Sequence, residues 1–205
     1  MLSMNQNLTE IIFLLDRSGS MSGLENDTIG GFNGFLKSQC KLGQTLLTTV
    51  LFNDKYEILH NGVDASKVIL TEKEYFTRGS TALLDAVGKT ILDVGFRLSH
   101  IPEESRPGKI IFVITTDGME NASKEFTYDK VNDMITLQQK RYNWEFIFMG
   151  ANIDVAKESH KLGIQPESAF SYQASEEGTS RMYQQVSAIV SDMRIPEHFQ
   201  NKKGN

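Results

Sequence analysis

The chain has one cysteine, Cys40, among its 205 residues, so no internal disulfide can staple it. Cys40 falls on the apolar side of a helical pattern, which suits packing better than redox chemistry. No apolar run approaches the ~18 residues needed to span a membrane. Met1 to Asn7 is polar, so neither a signal peptide nor a membrane partner is expected. A cytoplasmic location is the corresponding expectation. Basic runs are also missing, apart from Lys202-Lys203. At a net charge of −5 and a pI near 5.4, nothing is available to neutralise a run of phosphates, which argues against a nucleic-acid partner. The four histidines, His60, His100, His160 and His198, show no metal-ligand spacing and read as surface or packing residues. There is no Gly-x-Gly-x-x-Gly, no P-loop lysine and no Gly-x-Ser-x-Gly elbow, which removes the common nucleotide and acyl-transfer signatures. Gly30-Gly31-Phe32-Asn33-Gly34 does not directly follow a strand, so it does not replace them.

What remains is 40% hydrophobic, enough for one domain with a substantial core over residues 1–194. Residues 195–205 read as a polar, frayed tail. No repeat or linker divides the chain. Apolar strand-like runs alternate with helical patterns, which predicts a mostly parallel α/β sheet. Strands are expected at about Glu10–Leu15, Thr45–Phe52, 110–114, Trp144–Met149 and Ala169–Tyr172. Asn53-Asp54 reads as a tight turn into Tyr56–Leu59, an antiparallel edge. Residues 61–78 look less regular, and Pro102 and Pro107 bracket a loop. Helical spacing is expected through Ile29, Phe32, Leu36 and Cys40, over about Thr81–Leu98, over about Tyr128–Arg141, and through Met182, Val186, Ile189 and Met193. Ser175 is the expected cap of the last of these. Gly30, Gly31 and Gly34 imply either close packing against the sheet or an irregular first part of the first helix.

Two of the strand runs end in polar segments. Ile11-Ile12-Phe13-Leu14-Leu15 leads into Asp16-Arg17-Ser18-Gly19-Ser20, and Ile110-Ile111-Phe112-Val113-Ile114 into Thr115-Thr116-Asp117-Gly118. Between them lies Arg78-Gly79-Ser80-Thr81-Ala82-Leu83, a Gly-led loop opening a helix. An acid with two hydroxyls at alternate positions, and no adjacent histidine or lysine, is poorly suited to nucleophilic catalysis. Its oxygens suit a hard cation. Each residue taken singly also suits a helix cap or a turn.

The three segments, in this order, resemble the metal-ion-dependent adhesion site of the von Willebrand factor A domain family, in its intracellular bacterial form. The likeness runs over roughly residues 8–192. It implies a doubly wound six-stranded sheet of order 3-2-1-4-5-6, strand 3 antiparallel, with helices on both faces. It implies that Asp16, Ser18, Ser20, Thr81 and Asp117 bind Mg²⁺, or Mn²⁺ or Ca²⁺, at the carboxyl ends of adjacent strands. One coordination position would then take an Asp or Glu from an unidentified partner protein. Two other functions stand beside this expectation. One is a Mg²⁺-dependent phosphoryl-transfer hydrolase, although Ser18 stands where such enzymes place a second acid, and Arg17 is the sole candidate charge clamp. The other is a subunit coupled to a separate ATPase or chelatase complex. A cation held only for stability is a further alternative. Arg17 itself is expected at the rim, solvated or clamping a carboxylate. Met21 and Met119 read as adaptable rim contacts or as loop packing, with Glu120 beside them.

Overall fold

The computed structural model describes residues 4–195. The expected tail lies outside the described residues except for Ile195. Six strands run β1 Asn5–Asp16, β2 Gln44–Phe52, β3 Tyr56–Asp64, β4 Pro107–Thr116, β5 Glu145–Gly150 and β6 Ala169–Ser171. They form one sheet in the order β3-β2-β1-β4-β5-β6, with β2–β3 the antiparallel pair and the other neighbours parallel. The helices are α1 Glu25–Cys40, α2 Leu83–Ser99, α3 Tyr128–Tyr142, α4 Val155–Leu162 and α5 Glu176–Arg194. This is the expected doubly wound architecture, with its antiparallel edge made by the hairpin after Phe52. Among the described residues no helix is long and apolar enough to cross a membrane.

The apolar runs in β1 and β4 are continuous because both faces of the sheet are covered. Ile12, Leu14, Phe112 and Ile114 pack with α2, α3 and α4 on one face. Ile11, Phe13, Leu15, Ile111 and Val113 pack with α1 and α5 on the other. Phe13 sits at the centre of that second layer, edge-on to Phe32 and Phe35 of α1 and stacked with Tyr183 of α5.

The glycines of α1 lie in a regular helix. Close approach explains Gly31, but the approach is to α5 rather than to the sheet: a Cβ there would fall 2.1 Å from the Tyr183 ring. Gly30 and Gly34 have open space around them. Gly31→Ala should therefore cost about 1–3 kcal/mol through overpacking, measured by urea unfolding, whereas Gly34→Ala should cost nothing or stabilise.

Three elements exceed expectation. Strand β1 begins at Asn5, ahead of the expected Glu10, and strand β3 continues to Asp64 through residues expected to be irregular. Helix α4 has no counterpart in the sequence pattern. It is short, capped by Asp154 accepting from the Lys157 amide and closed by Gly163 in the left-handed conformation. Ser175 caps α5 as expected, accepting from the Gly178 amide at 3.1 Å.

Candidate metal centre

The register of the sheet positions the site. Leu15 of β1 lies opposite Thr115 of β4, so both strands reach their carboxyl ends side by side, with β2 on the other flank of β1. Successive elements diverge to opposite faces there, leaving a crevice. Asp16 ends β1, and Asp117 follows β4 by one residue. The Gly79–Thr81 loop is tied to the first motif by Gly19 N–H donating to Gly79 O at 2.9 Å, and by Arg78 N–H donating to Arg17 O at 2.8 Å.

Four of the five residues form one connected polar chain. Asp16 Oδ1 accepts the Ser18 amide at 2.7 Å, and Asp16 Oδ2 accepts the Thr116 hydroxyl at 2.7 Å. Ser20 donates its hydroxyl to Asp117 Oδ1 at 2.5 Å and lies 3.0 Å from Ser18 Oγ. A hydroxyl has one proton, so Ser18 must be the donor to Ser20. The fifth residue, Thr81, faces the same point: a Cβ built on Gly118 would be 3.1 Å from both Ser20 Oγ and Thr81 Oγ1.

This arrangement is rich in acceptors and poor in donors. Asp117 Oδ2 is buried with no hydrogen-bond partner. Ser18 keeps its lone pairs once its proton goes to Ser20. Asp16 is 1% and Asp117 2% exposed. Burial pushes the Asp16 carboxyl up to about 6, against the lowering hydrogen bonds from Thr116 and Ser18, with the Asp117 charge adding to the rise. Burial likewise raises Asp117, opposed by Ser20. Two buried acids that ionise reluctantly, and a buried carboxylate oxygen without a donor, fit a small hard cation. Among the described residues no three acid, histidine or cysteine side chains converge on a metal-sized site, so a cation here would depend on the hydroxyls.

Several supporting residues carry no signature in the sequence. Thr116 is one. Tyr75 is another, donating its hydroxyl to Asp16 O at 2.6 Å from a segment that looked irregular. The loop after Asp117 is braced on the first turn of α2. Glu120 accepts the Leu84 amide at 3.0 Å and the Ser123 hydroxyl at 2.8 Å, while Ser123 Oγ accepts the Asp85 amide at 3.0 Å. Asp85 in turn accepts the amides of Lys124, Glu125 and Phe126, each at 2.9 Å. Although its partial burial alone would raise it, those three amides hold the Asp85 carboxyl below its ordinary range.

Arg17 corrects an expectation. It is buried, not solvated at the rim, and pairs with Glu57 of β3 at 2.7 Å. The cause is local: its amide donates to Phe52 O, so the β1–β2 ladder continues past Asp16 and turns the side chain towards β3. Of the methionines, Met21 is packed inside while Met119 is 70% exposed beside Asp117.

No family model matches the chain, and no curated protein sequence matches it. Its fold does match solved structures. The vWF domain of the type V pili tip protein Mfa5 from Porphyromonas gingivalis superposes with a TM-score of 0.66 at 10% identity, over 92% of this chain and 96% of that one. Manganese-loaded TRAP protein from Plasmodium vivax gives 0.61 at 16% identity, over 86% and 72%. Proximal thread matrix protein 1 from the mussel byssus, with a zinc-occupied MIDAS motif, gives 0.61 at 16% identity over 89% of this chain. The chain spans 46% of that byssus protein's length. At these identities the likeness is one of fold, and the fold is that of the von Willebrand factor A-like domains.

Proposed function

We propose that this protein is a binding module that holds one divalent cation on Asp16, Ser18, Ser20, Thr81 and Asp117 and uses it to capture a carboxylate of a partner protein. The observation that carries this reading is the Ser18–Ser20–Asp117 chain, which ends in a buried carboxylate oxygen with no donor. Mg²⁺ is the ion that best suits two carboxylates and three hydroxyls, with Mn²⁺ or Ca²⁺ as substitutes. Neutral hydroxyls would leave the ion electrophilic enough to attract an external carboxylate. Similar folds with zinc or manganese bound support the cation class. We further infer a cytoplasmic, bacterial setting, from the resemblance of the motifs and the single cysteine.

The hydrolase alternative has little to draw on. Arg17, the cation within the first motif segment, is committed to Glu57, and among the described residues no histidine or lysine side chain is hydrogen-bonded to Asp16, Ser18, Ser20 or Asp117. The motif hydroxyls therefore lack a paired histidine or lysine to act as general base.

Asp117→Ala should abolish Mg²⁺ binding in titration calorimetry while leaving the thermal unfolding transition intact, because Asp117 follows a strand end rather than filling the core. Wild-type affinity in the variant would remove Asp117 from the site. The purified protein should also be inert toward a generic phosphate ester from pH 5 to 9 in Mg²⁺ or Mn²⁺. Turnover that disappears in Asp16→Ala would favour the hydrolase. A partner captured in Mg²⁺ and released by EDTA supports the binding module.

A further inference from the structure

We propose that Arg78, held on the ring of Phe76 in the loop that leads to the candidate ligand Thr81, is a second anchor that selects acidic partner segments carrying two carboxylates, one for the ion and one for the guanidinium. This rests on the metal-dependent binding reading above and adds what kind of partner the site would take.

Two arginines share one aromatic ring. The Arg78 guanidinium lies 4.9 Å from the Phe76 centroid and that of Arg17 lies 5.6 Å from it. Their situations differ. Arg17 is buried and neutralised by Glu57. Arg78 is exposed and forms no ion pair among the described residues. Phe76 is 41% exposed, so the cation on its ring stays open to solvent. Here the face supports a cation.

The backbone of this stretch is fixed to the site on both sides. The Arg78 amide donates to Arg17 O, and Asn53 Nδ2 donates to Arg78 O at 2.9 Å. Gly79 has a φ of +76°, and a Cβ there would meet Asp54 Oδ1 at 2.2 Å, so only glycine makes this turn. Thr77 is held by Glu25 at 2.5 Å. Three residues beyond Arg78 is Thr81, a proposed ligand. A planar cation stacked on a ring and set on a pinned backbone has little conformational freedom left to lose, and its fork matches a carboxylate. The chain as a whole carries a charge of −5, so an exposed guanidinium without an acidic partner is a local exception that an acidic segment can use.

The test uses synthetic peptides with a single Glu, or two Glu separated by one to five residues, measured by fluorescence anisotropy in Mg²⁺ and in EDTA. Wild type, Arg78→Ala and Arg78→Lys are compared. In Mg²⁺ the best two-acid peptide should bind wild type about tenfold tighter than the one-acid peptide. Arg78→Ala should erase that margin while keeping one-acid binding, and its Mg²⁺ titration should match wild type. Arg78→Lys should keep only part of the margin. A two-acid margin absent from wild type, or retained in Arg78→Ala, overturns the role of Arg78 and leaves the metal reading standing. Peptide binding that EDTA does not abolish overturns the metal reading and this one with it.

Discussion

In EDTA at pH 7, Asp16→Asn should be more stable than the wild type by up to about 3 kcal/mol. The wild-type carboxyl is raised from 3.8 to about 6 by burial, and each pKa unit corresponds to about 1.4 kcal/mol. The folded chain therefore prefers a protonated Asp16. That preference contributes its full stability below pH 3.8, and the contribution is lost as pH rises through 6. Asparagine removes the ionisation and keeps the geometry. Its oxygen can accept the Ser18 amide, and its nitrogen can donate to Thr116 Oγ1. Thr116 then turns its own proton to Gly118 O, which lies 3.1 Å away. Urea unfolding at pH 5, 6, 7 and 8 would show the gap opening with pH. In Mg²⁺ at about 100 times its Kd, only the wild type should gain about 2.7 kcal/mol, and the gap should close. An Asn variant less stable than wild type in EDTA at pH 7 would mean that the hydrogen bonds to the ionised acid outweigh its burial.

Arg97→Ala should be the most damaging single truncation of a polar side chain, costing about 3–5 kcal/mol. Its partner, Glu10, lies in the central strand with no solvent exposure at all. Glu10 Oε1 accepts from Arg97 and from the Thr48 hydroxyl, while Oε2 has no partner. Arg97 itself is steadied by Asn61, which accepts its Nε–H at 2.8 Å. Removing the guanidinium strands a carboxylate between two strands. Glu10→Met combined with Arg97→Leu should recover most of the loss, since both partners are then apolar. Chemical denaturation of the two single variants and the double variant checks this. A cost below about 1 kcal/mol for Arg97→Ala would mean that water already screens the pair from its exposed side.

The sequence disclosed the sheet well because β1 and β4 each hold five consecutive apolar residues, 11–15 and 110–114, and only a strand covered on both faces demands such a run. It also disclosed which residues share a crevice, since Asp16, Ser18, Ser20, Thr81 and Asp117 all sit at element ends where topology brings them together. Their use as ligands is a chemical reading of that crevice. Less visible was anything depending on distant partners. Arg17 looked like a surface residue because nothing nearby announces Glu57, forty positions on. Glu10 looked like an ordinary first strand residue until Arg97 approached it. Helix α4 escaped because eight residues with three buried positions give too short a period to recognise. Gly31 announced a close contact but not with which element, since a missing side chain does not say what fills its place.

The bracing of the loop after Asp117 has a consequence for which ligands are shut out. A helix amino terminus ordinarily attracts phosphate, because its first amides lack partners and its dipole is positive there. At α2 that attraction is already satisfied from within. The amides of Ala82, Leu84 and Asp85 are occupied by Asn53 O, Glu120 and Ser123. A phosphoryl group arriving at the start of α2 finds these amides already filled. An anion drawn to this crevice would therefore be held by a bound cation or by the arginine rim, and not by the helix terminus.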